Sequence, residues 1–283
     1  MLVEVSLAES MERIPLEDNF EDVLGKALRG KGISISELAS ASGATEGEID
    51  QLLGGTLLEG ALRKVSPALE LHDEALIELA NKNWHPAELE LEGLRQFITP
   101  FEDFTVGSFL VWDSDSMEAA MFDTGTNADD AYALEQALGL NVRQLFLTHT
   151  HPDHIAATSR IKRWGKVTAR TLDKEPAPNA EPFAIGEKFS IGGLRVSTRL
   201  TWGHSSGGVT YFIEGLERPV AIVGDALFAQ SMGGGVVSYQ AALETNRKEI
   251  FSLPDETIIC PGHGPMSSVG EEKAHNPFFP EFK

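Results

Sequence analysis

The stretch LTHTHPDHIAA, residues 147–157, restricts this chain more than any other part of it. It sets His149, His151, Asp153 and His154 close together, and all four side chains bind metal ions. Packing gains nothing from four polar groups in one turn, and burying them without partners is costly. A fold that accepts this turn must therefore bring it partners. The two-residue step from His149 to His151 suits an extended turn. Pro152 suits the first turn of a helix, which then carries Asp153 and His154.

The rest of the chain offers partners in matching settings. His204 in TWGHSSGG and His263 in CPGHGP each sit beside glycine after an apolar run of strand length. Asp225 in AIVGDALF ends another such run. Five histidines and two aspartates thus fall at strand ends, on loops where a rigid scaffold presents a site. Imidazole and carboxylate suit zinc, iron and manganese. One zinc takes about four ligands, so a set this large points to two divalent ions sharing one carboxylate. The single cysteine, Cys260, excludes an internal disulfide framework and a cysteine-rich zinc site. It either faces the site as a thiol or ends a strand as a small buried residue.

The chain reads as two segments. Residues 86–283 alternate apolar runs (GSFLVWD, AAMFDTG, VRQLFLTHT, LRVSTRLTW, VTYFIEG, PVAIVGDALF, ETIICPGHG) with helical patterns at 127–138, 152–163 and about 237–251. Strands that alternate with helices predict an α/β domain with helices covering sheets. Residues 1–85 predict a small all-α domain. In NFEDVLGKALRG the positions Phe20, Val23, Leu24, Ala27 and Leu28 have helical spacing. Ser36 is placed to cap a second helix that Gly43 breaks, and Thr45 to cap a third that stops at Gly54–Gly55. NKNWHPAELE reads as the linker.

The balance of 23 basic against 43 acidic residues disfavours nucleic acid and anionic membranes as partners. No apolar stretch is long enough for a membrane span, and the acidic start lacks the features of a targeting segment. The cytoplasm is the expected location.

HTHPDH resembles the signature of the metallo-β-lactamase superfamily. FDTG before it and Gly-His-Ser, Gly-Asp and Pro-Gly-His after it stand in that family's order, from about residue 95 to the end. The resemblance implies a four-layer αβ/βα sandwich with metals at one edge. By position it implies His149, His151 and His204 as ligands of one ion. Asp153, His154 and His263 would hold the other, and Asp225 would bridge them. Asp-Thr-Gly also marks aspartic proteases, but those need two copies and one is present. Asp123 of this loop either orients a ligand by accepting its hydrogen bond or only shapes the turn.

The stretch from Val223 to Phe279 resembles the glyoxalase II (hydroxyacylglutathione hydrolase) branch, most specifically in GEEKAHNPFF. This implies hydrolysis of a small acyl substrate, a thioester, by metal-bound hydroxide, with Asp153 or Asp225 moving the proton. Longer members continue into a helical region whose basic residues grip glutathione, whereas this sequence ends at Lys283. Gly234–Gly235 stand where relatives often carry arginine, leaving Lys273 as a candidate for an anionic substrate tail. Zinc is the first expectation for the two ions, with iron or manganese as alternatives. Persulfide dioxygenases resemble the same branch; in that reading one iron would sit on His149, His204 and Asp225. No strong basic exosite supports a ribonuclease: Arg160, Lys162, Arg163, Lys166 and Arg170 read as cations near the C-terminus of the helix after the motif.

SELASASGATEGEIDQLLGG resembles the helix-turn-helix of λ-repressor-like domains, which raises a ligand-sensing regulator as an alternative from another class. Across residues 33–80, however, nine acids face two bases, so phosphate contact is repulsive. Dimerisation, or covering the rim of the site, is the expected role of the front segment.

Overall fold

The computed structural model describes residues 13–282; the first twelve residues of the front segment lie outside them, as does Lys283. Five short helices open the described chain: α1 (Phe20–Lys31), α2 (Ile35–Ser42), α3 (Glu46–Leu53), α4 (Glu59–Ala68) and α5 (Asp73–Ala80). Local chemistry sets their ends. Thr45 caps α3, its hydroxyl accepting from Glu48 N while the Glu48 carboxylate accepts from Thr45 N. The cap of α2 is Ser34 rather than Ser36. Ser34 has Glu37 three positions on to close the same reciprocal pair, and the helix therefore starts two residues earlier. Gly43 ends α2 in a left-handed conformation.

After residues 83–90, which carry no helix or strand, the α/β part begins. Its elements are β1 (Leu94–Phe101), β2 (Phe104–Trp112), β3 (Glu118–Phe122), α6 (Asp129–Leu138), β4 (Asn141–Phe146), α7 (Pro152–Ile155), α8 (Thr158–Ile161), β5 (Thr168–Leu172) and β6 (Glu181–Phe183). These strands form one sheet in sequence order. Then come β7 (Lys188–Ile191), β8 (Leu194–Leu200), β9 (Val209–Glu214), β10 (Val220–Gly224), α9 (Tyr239–Thr245), β11 (Ile258–Pro261), β12 (Ser267–Ser268) and α10 (Val269–His275). Their strands form the second sheet, ordered β12-β11-β10-β9-β8-β7.

Strand alternation explains the layers. Phe109 and Val111 of β2 meet Val220 and Ile222 of β10 in the apolar layer between the sheets. Their neighbours Leu110 and Trp112 turn outward under Ala131 of α6 and Ile161 of α8. Ala221 and Val223 turn outward on the other side, under Leu243 of α9 and the front helices. Both faces of each sheet are covered, so the strands read as continuous apolar runs rather than alternating ones. The architecture is the expected αβ/βα sandwich.

The front helices share one apolar cluster with the second sheet. Phe20, Val23 and Leu24 pack in it with Val223, Leu227, Met232 and Phe279. Among the described residues no helix is long and apolar enough to cross a membrane.

Two helical expectations are corrected. The pattern at 152–163 is not one helix but two single turns, α7 and α8. Backbone groups there bond across to Thr124 instead of propagating: Thr124 N donates to His154 O at 2.9 Å, and Ala157 N donates to Thr124 Oγ1 at 3.0 Å. Arg160 and Lys162 therefore do not end a long helix dipole; Arg160 pairs with Asp129, and Lys162 donates to Asn179 O at 2.7 Å. The pattern near 237–251 narrows to α9 and widens into a π-turn at Asn246–Ile250. There the buried Asn246 side chain reaches out of the helix to Ala226 O at 2.7 Å.

Candidate metal centre

The strand ends deliver the ligands to one edge of the sandwich. Asp123 follows β3 directly, and the loop after β4 carries His149 and His151 into α7, which begins with Pro152 and holds Asp153 and His154. From the second sheet, the β8–β9 loop supplies His204, the residue after β10 is Asp225, and the loop after β11 supplies His263. The side chains fall into two groups: His149, His151, His204 and Asp225, then Asp153, His154 and His263. Within each group the potential ligand atoms lie within 4.8 Å of one another.

Asp225 faces both groups. Its Oδ2 lies 3.3 Å from His204 Nε2 and 3.4 Å from His263 Nε2, and its Oδ1 lies 3.2 Å from His154 Nε2. In the first group His151 Nδ1 sits 3.0 Å from both His149 Nε2 and His204 Nε2. Gly262 must lack a side chain for this to fit: a Cβ there would stand 2.1 Å from Asp225 Oδ1 and 2.6 Å from His154 Cε1.

The surrounding acceptors fix the tautomers. His204 Nδ1 contacts Gly234 O at 2.9 Å and His263 Nδ1 contacts Thr105 O at 2.6 Å; a carbonyl only accepts, so both nitrogens carry the proton. His154 Nδ1 donates to Asp123 Oδ2 at 2.8 Å. The Thr148 hydroxyl gives its proton to the same carboxylate, so His149 Nδ1, 3.1 Å away, is the donor in its contact with Thr148 Oγ1. In the neutral form, four of the five rings therefore turn an Nε2 lone pair inward. These are the second partners that orient metal-ligating imidazoles. His154 Nε2 and Asp225 Oδ1 are buried 3.2 Å apart, yet neither makes a well-aligned hydrogen bond among the described residues, although few buried polar atoms stay unpaired. The donor set fits two divalent ions: shared cations satisfy both orphaned atoms and the convergent lone pairs.

The electrostatics agree. Burial lowers the His154 ring, but the carboxylates of Asp225 and Asp123 outweigh it and push it up to about 10. Burial likewise opposes Asp225 at His263, which is pushed up to about 11. Asp225 is held well below the usual carboxylate range by His154 and His263, against the pull of burial. This half of the site demands positive charge. In the other half, burial and the neighbouring His154 drive His149 well below its ordinary value, and burial lowers His204 from its own. Those rings are poised as neutral ligands.

Asp123 accepts three hydrogen bonds: besides His154 Nδ1, Thr148 N reaches its Oδ1 at 2.7 Å and Thr148 Oγ1 its Oδ2 at 2.7 Å. It adopts a left-handed backbone (φ 52°), uncommon for a residue with a side chain and frequent at functional sites. Lys273 is not brought to the cluster. It pairs with Asp255 at 2.6 Å, at the end of β11 opposite to His263. Cys260 is a buried strand residue packed near Met266.

Several residues around the cluster carry no mark in the sequence. Phe104 and Phe228 set their rings edge-on to His263 at 5.3 and 5.5 Å. From the front segment, Lys26 donates to Met232 O at 2.8 Å and Asp18 accepts from Ser231 Oγ at 2.5 Å, gripping the loop that follows Asp225. Nothing in the local sequence of these residues marks them, because their partners are distant in the chain.

Residues 103–263 match the family model described as the metallo-beta-lactamase superfamily. The chain is 31% identical over 206 residues to the hydroxyacylglutathione hydrolase GloC of Haemophilus influenzae, covering 64% of this chain and 96% of that protein. Among solved structures it is similar to the B3 metallo-beta-lactamase BLEG-1, with a TM-score of 0.58 at 28% identity over 65% of this chain and 98% of the other. It shares its fold with ETHE1 from Myxococcus xanthus, with a TM-score of 0.58 at 24% identity over 66% of this chain and 84% of the other.

Proposed function

The chain belongs to the metallo-beta-lactamase superfamily, and we propose that it is a dinuclear metal hydrolase of small-molecule thioesters, of the hydroxyacylglutathione hydrolase type. The observation that carries this reading is Asp225, whose two oxygens face the histidines of both groups. The 31% identity to a hydroxyacylglutathione hydrolase supports the thioester as substrate class.

When bound, two divalent ions lower the pKa of a shared water and polarise the carbonyl, so no side-chain nucleophile is required. His149, His151 and His204 would hold one ion, Asp153, His154 and His263 the other, and Asp225 both. The chain's own work is orientation and proton handling. The Nδ1 acceptors Thr148, Asp123, Gly234 and Thr105 keep the rings pointed inward. Asp153 or Asp225 would take the water's proton and return it to the leaving thiolate. Phe104 and Phe228 flank the His263 ring edge-on.

The test is metal content per chain in protein purified without chelator, followed by assay on a thioester panel. Close to two ions and thioester turnover are expected. A single iron per chain, with oxygen uptake on persulfides and no thioester turnover, would overturn the reading.

A further inference from the structure

Between the two ligand-bearing loops of the first group lies a carboxylate that touches no ligand. Glu175 follows β5 in a turn closed by its own N–H donating to Leu172 O at 2.8 Å and by Thr171 Oγ1 donating to Glu175 O. Its side chain is buried, and among the described residues it makes no ion pair. Both oxygens are used. Oε2 accepts from Thr150 Oγ1 at 2.7 Å, and Oε1 accepts from Gly207 N at 2.9 Å. Thr150 stands between His149 and His151, on a loop of the first sheet. Gly207 lies three residues past His204, on a loop of the second. The approach is close: a Cβ at Gly207 would stand 2.7 Å from Glu175 Cγ and 2.8 Å from Lys174 Cβ.

We infer that Glu175 is the positioning residue that ties the two sheets together at the first ligand group, and thereby sets the affinity of the ion held there. The inference rests on the metal reading proposed above. Three histidine nitrogens must converge within a fraction of an ångström, yet they ride on two loops from different sheets. Loops are the mobile parts of a fold. A buried two-armed acceptor removes the relative motion of these loops before an ion arrives, so the ion does not have to order them. Glu175 acts one step further out than groups bonded to the ligands themselves, whose loss weakens metal binding about 10- to 100-fold. The expected effect is therefore at the lower end of that range.

The experiment uses the full chain with zinc alone, its affinity read by competition with a chromophoric chelator. In a His263→Ala background, which disables the second group, Glu175→Ala is expected to weaken zinc about tenfold. In a His151→Ala background, which disables the first, the same change is expected to leave the remaining ion unaltered. Glu175→Gln is expected to restore affinity: its oxygen accepts from Gly207 N–H while its amide donates to the Thr150 hydroxyl, which also accepts. Thr150→Val cuts one arm at similar volume and gives the same reading should Glu175→Ala fail to fold. Equal weakening in both backgrounds, no weakening in the first, or no rescue by glutamine would overturn the inference. A wild-type chain that takes up no zinc would overturn the metal reading itself, and this inference with it.

Discussion

Glu272 should make the protein less stable as the medium turns from acid to alkaline, and one substitution should remove that dependence. The side chain lies fully buried on α10. Its Oε2 accepts from Gln230 N at 3.1 Å and Asn276 Nδ2 at 2.9 Å, while Oε1 makes no well-aligned hydrogen bond among the described residues. Burial pushes this carboxyl from 4.5 up to about 7, and the donors of Asn276, Ser267 and Gln230 offset only part of that. The folded state therefore binds the proton more tightly than the unfolded state. The stabilisation is complete below the unfolded value of 4.5, is lost as pH rises toward about 7, and is absent above it. At roughly 1.4 kcal/mol per pH unit, the gap amounts to about 3 kcal/mol, of which about 2.5 kcal/mol falls between about pH 5 and pH 8. Glu272→Gln mimics the protonated form at every pH. Urea unfolding of both proteins, zinc-saturated, reads the difference between their stabilities. Metal loss in acid affects both alike and cancels. The variant should gain about 2.5 kcal/mol on the wild type across that range. Parallel pH curves would show that the carboxyl is ionised or hydrated in the folded state, and the reasoning would fail.

Other changes bear on the centre directly. His151→Ala and Asp225→Ala should each abolish turnover while leaving circular dichroism and compactness near wild type; activity surviving in both would remove the ligand assignment. Asp123→Asn replaces an acceptor of three hydrogen bonds with a group that must turn an amide toward a donor. It should cost about 1–3 kcal/mol of stability and weaken the second ion about 10- to 100-fold. Unchanged zinc stoichiometry and affinity in this variant would show that Asp123 only shapes its turn. Gly262→Ala forces a Cβ into Asp225 and His154. Calorimetric zinc titration should show the second ion lost or much weakened, and a wild-type isotherm would mean the loop yields easily.

Much of this was legible in the sequence because the fold buries both faces of each sheet. GSFLVWD and PVAIVGD read as strands since no solvent face interrupts them. The clustering of these His and Asp side chains was legible because such residues at the ends of apolar runs have no packing reason to be there. What stayed hidden depends on contacts across the chain. The helix expected at 152–163 has the right apolar spacing, but the hydroxyl and N–H of Thr124 claim the backbone at its middle. Glu175 and Glu272 each sit beside another charged residue, in LDKEP and GEEKA. One of each pair is buried, and local pattern does not say which. Only the loops and helices folded over them do.

The front helices show the same limit on a larger scale. Their amphipathic spacing announced a buried face but not what it is buried against. The structure answers with the outer face of the second sheet, in one cluster with Val223, Leu227 and Met232. Apolar burial of that extent is the main drive for the segment to dock. The polar contacts at the seam add direction. Lys26 and Asp18 hold Met232 O and Ser231 Oγ, and Gln230 donates to Glu78 Oε2 at 3.2 Å. All three anchored residues lie just beyond Asp225, and Gly233, the next residue, packs against the Asp225 carbonyl and the His204 ring. Geometry at Asp225 is thus held from both sides: by its own strand, and by the front helices that grip residues 230–232. The front helices thus pack against the chain segment that leads away from the proposed shared ligand.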